Sequence, residues 1–353
     1  MGKSSLDVRG LYKNELIDYL AQLGEKSFRG KQIFRWVQAG AVQKWSEMTN
    51  LSNTLQDKLS QNLRFSPLKL ILERVSCDGT RKYLLELEDG KRIESVLLFH
   101  GGAISKKRTT LCISTQVGCP MGCEFCATGK MGFVRNLTAG EIVGQVLDLT
   151  YLRKKEDQQF KINNLVYMGM GEPLLNLPEV LKSIRILNHE EGQKIGIRRI
   201  TVSTCGLVPQ IESLAEENID IVLAVSLHAP NDKLRNEIMP VNKQYPLGKL
   251  INSCRRYIEK TGRRVTFEYA LVKGFNDNME QVVELSTLLR GIKANINVIP
   301  INTVSDGAFN KPSSEKIKKF VVALREKGLD VVIREEKGSD IEAACGQLAG
   351  SIM

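Results

Sequence analysis

The 353 residues of this chain predict an α/β protein: a partial (β/α)6-type barrel with a small N-terminal helical domain and a short antiparallel β extension. Three patterns carry that expectation. Apolar residues recur at helical spacing through residues 1–65, Asp-Gly pairs punctuate residues 66–105, and strand-like runs then alternate with helical stretches through residues 106–353.

In residues 1–65, Leu16, Ile17, Leu20 and Leu23, then Ile33, Phe34 and Val37, mark the apolar faces of helices whose other positions are rich in lysine and arginine. Such a unit reads as a basic accessory domain. Arg29, Lys31 and Arg35, with the aromatics Phe34 and Trp36, are candidates for an RNA-facing surface, and a solvated face over an apolar stripe accounts for the same residues. Residues 68–75, 82–87 and 92–99 are β-like runs separated by Asp78-Gly79 and Asp89-Gly90, which are hairpin-turn signals, so an antiparallel meander is expected.

Seven strand candidates follow, at 110–115, 164–168, 199–204, 221–227, 265–271, 296–299 and 329–334. Their alternation with helical stretches predicts parallel βαβ units. Six or seven units are too few for the eight of a closed barrel, so an open partial barrel is expected, with a doubly wound sheet as the alternative. Either architecture gathers function at the C-terminal strand ends. The polar stretch 153–161 reads as a surface loop.

A net charge of +10 favours polyanionic partners, since neutralised phosphates release condensed counterions. No apolar run is long enough to span a bilayer, and the first ten residues lack the apolar core of a signal peptide, which points to a cytoplasmic protein. With eight cysteines in such a chain, several of them bunched, metal ligation or catalysis is expected before a disulfide framework.

The most specific feature is Cys119-Pro-Met-Gly-Cys123-Glu-Phe-Cys126, just after the first barrel-type strand. A zinc site usually takes four protein ligands from paired elements, and no second CxxC or HxxxH follows. Three thiolates suit a [4Fe-4S] cluster with one iron left open. The motif strongly resembles that of the radical S-adenosylmethionine (SAM) superfamily, in which the open iron chelates the amino and carboxylate groups of SAM.

The resemblance extends from the N-terminal helices to Gly350, and it is to the RlmN family of dual-specificity rRNA/tRNA adenine C2 methyltransferases. It rests on Leu111-Cys-Ile-Ser-Thr-Gln-Val-Gly-Cys119, Phe133-Val-Arg-Asn-Leu-Thr138, Met168-Gly-Met-Gly-Glu-Pro173, Ser226-Leu-His-Ala229 and Ala343-Ala-Cys-Gly-Gln-Leu348. It implies that Cys119, Cys123 and Cys126 hold the cluster, and that Gly171 and Glu172 contact the methionine part of SAM. Ser203, Ser226, Leu227, His228 and Asn302 would complete the SAM pocket.

The resemblance also implies a radical relay, because adenine C2 is too weak a nucleophile to take a methyl group from SAM directly. Cys345 would be methylated first. A second SAM would then yield a 5′-deoxyadenosyl radical that activates the S-methyl group for addition to the base, so two SAM are used per turnover. Glu94 would remove the C2 proton, and Cys112 would release the product through a transient disulfide with Cys345. The implied partners are 23S rRNA, tRNA and a flavodoxin-like or ferredoxin-like reductant, with the enzyme a monomer. The related Cfr family methylates C8 of the same rRNA adenosine with nearly the same residues, and Pro173 after Glu172 favours C2. Cys77, Cys205 and Cys254 match no role. The stretch 99–108 is longer than usual for the family, which bears on the loop near Glu94.

Overall fold

The computed structural model describes residues 6–101, 108–302 and 309–350. The chain opens with β1 (Leu6–Asp7), continues through α1 (Lys13–Gln22), α2 (Ser27–Gln38) and α3 (Asn53–Ser60), and closes this unit with β2 (Leu63–Arg64), parallel to β1. Leu16, Leu20, Ile33, Phe34 and Val37 form its core as their spacing predicts, while Ile17 and Leu23 are half-buried. Burial of Phe34 corrects its assignment to an RNA-facing surface: it stacks edge-on against His189 inside the protein.

Next come β3 (Lys69–Val75), β4 (Arg81–Glu86) and β5 (Arg92–His100), the expected meander, turning at the two Asp-Gly pairs. Then follow β6 (Arg108–Cys112), β7 (Gln116–Gly118), α4 (Ala127–Lys130), β8 (Phe133–Asn136), α5 (Ala139–Lys154), β9 (Asn164–Tyr167) and α6 (Leu177–Asn188). The chain continues with β10 (Ile200–Thr204), α7 (Val208–Glu216), β11 (Val222–Ser226), α8 (Asp232–Ile238), α9 (Leu247–Thr261), β12 (Val265–Leu271), α10 (Met279–Leu288), β13 (Ala294–Pro300), α11 (Ser314–Glu326) and β14 (Val331–Ile333).

Ten strands form one sheet in the order β14-β13-β12-β11-β10-β9-β6-β5-β4-β3. The seven from β6 to β14 are parallel and correspond to the seven expected strands, and the meander joins them through the antiparallel β5–β6 pair. Strand order follows the chain without reversal, which excludes a doubly wound sheet. In a flat sheet β6 and β14 would lie six spacings of about 4.8 Å, roughly 29 Å, apart. Yet Cys112 on β6 and Ile333 on β14 line the same cavity, so the sheet is curled into an incomplete barrel. All seven residues of β12 are buried, as expected for a parallel strand covered on both faces.

Helix α5 ties the parts together. It starts in a capping box, with Thr138 Oγ1 accepting the Glu141 amide and Glu141 Oε2 accepting the Thr138 amide. Its Asp148 pairs at 3.0 Å with Arg9, which is 2 % exposed and also pairs with Asp7. At the other end, Arg153 is buried against Glu73 of β3 and the Tyr83 hydroxyl. The polar stretch expected as a surface loop therefore begins with a buried arginine that closes an interface. No helix among the described residues is long and apolar enough to cross a membrane.

Candidate active site

The motif cysteines sit on the loop between β7 and α4. Gly118, just before Cys119, has φ +73, and a Cβ there would overlap the carbonyl of Gly132, the residue that leads into the facing strand β8. The Cys119 amide donates to that same carbonyl at 2.8 Å and the Cys126 amide to Cys123 O at 3.0 Å, which fixes the loop. All three cysteines line one cavity of about 150 Å³ at the C-terminal ends of the barrel strands.

Burial pushes the Cys119 thiol up to about 12 and also raises Cys126, so the protein's own charges do not stabilise thiolates here. A bound metal does so outright. Among the described residues, no three His, Cys, Asp or Glu side chains converge on a point that would hold a single ion. All three cysteines nonetheless line one cavity wall. That arrangement fits a cluster that takes each thiolate on a different iron.

The glycine-rich turn after β9 forms the next part of the wall. Gly171 has φ +101, and a Cβ there would lie 2.6 Å from Gln116 Cβ, so only glycine lets this backbone pass under the β6–β7 segment. Glu172 is 2 % exposed; its Oε1 accepts the Leu174 amide at 3.0 Å and its Oε2 the Cys205 amide at 2.7 Å. Burial raises its carboxyl and these bonds oppose that rise. The Thr204 and Cys205 side chains also reach this carboxylate, and as an acceptor-only group it suits an ammonium that takes the place of one of them.

Ser203, whose Oγ donates to Tyr167 O at 2.6 Å, and Ser226 line the cavity at the ends of β10 and β11. Leu227 does not: it is fully buried, its amide donates to Glu268 O and its carbonyl accepts Arg235 Nε. Its side chain therefore points into the core and not into the cavity. Asn302 reaches the cavity with Oδ1 unpartnered among the described residues and Nδ2 at 3.4 Å from Cys345 O.

His228 is held at φ +57, with its ring edge-on to Phe125 and Nδ1 accepting the Ala270 amide at 2.9 Å. The proton of the neutral ring therefore sits on Nε2. Burial, then Arg235, lowers this imidazole from 6.5 to about 3. The unfolded chain binds this proton at higher pH than the folded one, so the contribution is full above 6.5 and is lost as pH falls towards 3. For cluster-free protein this group should remove about 2 kcal/mol between pH 7 and pH 5. Urea unfolding at the two pH values measures it. His228→Asn, whose Oδ1 can accept in place of Nδ1, should flatten that part of the dependence.

A second cavity, of about 400 Å³, adjoins the first through Met168, Ile299, Asn302, Arg334 and Cys345. Cys112 and Cys345 both line it, and both are free thiols. Cys112 is buried and pushed up to about 12 by desolvation, then by Cys345, with Arg334 opposing; Cys345 is exposed. Its segment is pinned on both sides. Asp340 accepts from Ser76 Oγ at 2.6 Å, Lys82 donates to Glu342 O at 3.1 Å, and beyond Cys345, Gly346 O accepts the Ala127 amide at 2.7 Å and Leu348 O accepts Thr128 Oγ1 at 2.6 Å.

Glu94 lines neither of these two cavities. It is 1 % exposed on β5, with Lys82 at 3.3 Å from Oε1 and the Ala349 amide at 2.8 Å from Oε2. Two wall residues carried no motif: Glu268, 5 % exposed with Oε1 accepting from Asn297 at 3.0 Å, and Arg334. A carboxylate inside the apolar run of β12 was the available signal for the first.

A curled parallel sheet with three cysteines on a loop at the mouth of its strands defines a radical SAM enzyme. Residues 113–286 match the radical SAM superfamily, and residues 6–64 match the ribosomal RNA large subunit methyltransferase N-terminal domain. The chain belongs to the RlmN family of radical SAM RNA methyltransferases. It is 50 % identical to a probable dual-specificity RNA methyltransferase RlmN of Heliobacterium modesticaldum over 98 % of this chain and 90 % of that protein. The corresponding protein of Alkaliphilus oremlandii is 49 % identical over 97 % of each. A crystal structure of a radical SAM methyltransferase from Sphaerobacter thermophilus superposes with a TM-score of 0.93 at 46 % identity, covering 98 % of this chain and all of that one. Membership of the superfamily implies a [4Fe-4S] cluster and SAM, which the three thiols and the adjoining polar wall fit.

Proposed function

We propose that this enzyme methylates C2 of an adenosine in 23S rRNA and of the adenosine 3′ of the anticodon in tRNA, by way of an S-methylated Cys345. The observation that carries this reading is the placement of Cys112 and Cys345 in a cavity that adjoins the one lined by Cys119, Cys123 and Cys126. The cluster and SAM supply methyl groups and one-electron cleavage to a carbon radical, two SAM per turnover. Cys119, Cys123 and Cys126 hold the cluster; Gly171, Glu172, Ser203, Ser226, His228 and Asn302 surround SAM.

Cys345, exposed between two pinned stretches, carries the methyl group and then the carbon bonded to the base. Release forms an S–S bond between Cys112 and Cys345 and breaks the Cys345 S–C bond, whose electron pair goes to the carbon and takes up a proton. Glu94 is 1 % exposed and lines neither cavity, so for it to reach the C2 proton the C-terminal segment, held to it through the Ala349 amide, has to lift from β5. A flavodoxin-like or ferredoxin-like protein supplies electrons and disulfide reduction restores both thiols, in a cytoplasmic monomer.

The RNA-facing surface of the N-terminal unit is assigned to a groove on α2 lined by Phe28, Lys31, Gln32, Arg35, Trp36 and Asn50. Phe28 is 52 % exposed there, suited to stacking on an unpaired base, and Arg29 lies over its ring. Single-strand targets suit a cavity site, since a stacked base cannot enter it.

The test is the position of the methyl group. RNA treated with reconstituted enzyme, SAM and a reductant, then digested and analysed by mass spectrometry against synthetic nucleosides, is expected to contain 2-methyladenosine. Methylation at C8, or at an exocyclic nitrogen or ribose oxygen, would overturn the proposal.

A further inference from the structure

A fourth thiol stands beside the three cluster cysteines. Cys205, at the end of β10, lines the same cavity, and its Sγ lies 3.9 Å from Cys123 Sγ, within sulfur hydrogen-bonding distance. Its backbone is clamped on both sides by buried charged groups. The amide donates to Glu172 Oε2 at 2.7 Å, and the carbonyl accepts Arg235 Nη2, also at 2.7 Å. Arg235 is wholly buried and bonds in addition to Leu227 O, Ser226 O and Asn242 Oδ1. The backbone of Cys205 is thus fixed by the groups that shape the ligand cavity, which keeps its thiol beside Cys123.

We infer that Cys205 donates its S–H to the iron-bound thiolate of Cys123 and thereby raises the reduction potential of the cluster. The inference rests on the reading of Cys119, Cys123 and Cys126 as cluster ligands. In the free pair either sulfur can be the donor, but a thiolate bound to iron has no proton to give, so between the two sulfurs Cys205 is the donor, with the Glu172 carboxylate as the competing acceptor of its S–H. Reduction adds negative charge to the cluster, so a donor aimed at a ligand sulfur stabilises the reduced form more than the oxidised one. Cys205 acts through Cys123 and is a tuning residue, not a ligand.

The experiment is an EPR-monitored redox titration of full-length, anaerobically reconstituted enzyme without RNA, alongside Cys205→Ala and Cys205→Ser, with iron and sulfide analysis of each. Iron content should be equal in all three. The midpoint potential should shift to more negative values in Cys205→Ala, and Cys205→Ser, which keeps a hydroxyl donor, should recover part or all of that shift. An unchanged or less negative midpoint in Cys205→Ala would overturn the inference. So would loss of iron in that variant, which would make Cys205 a ligand. Failure of the unsubstituted protein to hold a cluster would overturn the ligand reading and this inference together, and its iron analysis tells that case from the others.

Discussion

Replacing any one of Cys119, Cys123 or Cys126 by alanine is expected to abolish both SAM cleavage and RNA methylation. A cluster held by three thiolates loses a third of its protein ligands, and its exchangeable iron no longer occupies a defined corner. Neighbouring carboxylates such as Glu172 and Glu268 are hard oxygen donors and poor substitutes for a cluster thiolate. Because Cys205 Sγ lies 3.9 Å from Cys123 Sγ, Cys123→Ala is measured alongside the Cys123→Ala, Cys205→Ala double variant. Reconstituted variants should show low iron, weak charge-transfer absorbance and no 5′-deoxyadenosine. The barrel itself should persist, because Cys119 and Cys123 contribute small side chains to a core dominated by leucine, isoleucine and valine. Far-ultraviolet circular dichroism and the urea midpoint separate loss of the site from loss of the fold. Full iron content with normal 5′-deoxyadenosine formation in one of these variants would remove that cysteine from the ligand set.

The parallel strands were legible because each is a short apolar run between helical stretches, and the meander because Asp78-Gly79 and Asp89-Gly90 mark its turns. Contacts across long sequence distances were not. Arg153 reads as polar and local, but Glu73, 80 residues away, draws it into the interior. Phe34 and Trp36 look alike in sequence; rotation about α2 buries the first and leaves the second beside the groove. The cysteine loop and the glycine-rich turn could be recognised because their chemistry is confined to a few adjacent residues. Arg334 could not, since it becomes a wall residue only when the sheet curls and brings β14 towards β6, and Glu268 left only the weaker signal of a carboxylate inside the apolar run of β12. Leu227 lies inside a recognisable motif, yet alternation along the strand end points Ser226 to the cavity and Leu227 to the core.

Cys345→Ala and Cys112→Ala are expected to fail at different steps, which a merely structural role for these thiols would not produce. Cys345→Ala should retain iron and bind SAM but yield no methylated RNA, a loss limited only by the detection threshold, because no sulfur remains to carry the methyl group. Cys112→Ala should load Cys345, attack the base and then stall with RNA covalently attached. Nuclease digestion should trim that species to a nucleoside adduct that peptide mass spectrometry places on Cys345. The environment of Cys112 adds a pH signature. Burial first, and then the neighbouring Cys345 thiol, push the Cys112 thiol up to about 12 with Arg334 pulling the other way; once Cys345 is alkylated it carries no charge, and burial remains to keep the thiolate fraction small near neutrality. That fraction rises about tenfold per pH unit below the pKa, and the thiolate is the attacking species. If release limits turnover, the unsubstituted enzyme should itself accumulate covalent RNA as pH is lowered, and clear it as pH is raised. Arg334→Met, which removes the charge that favours the Cys112 thiolate, should enlarge the adduct population at fixed pH. A Cys112→Ala enzyme that turns over without carrying RNA, or a Cys345→Ala enzyme that methylates at the unsubstituted rate, would show that the methyl group reaches the base by another route.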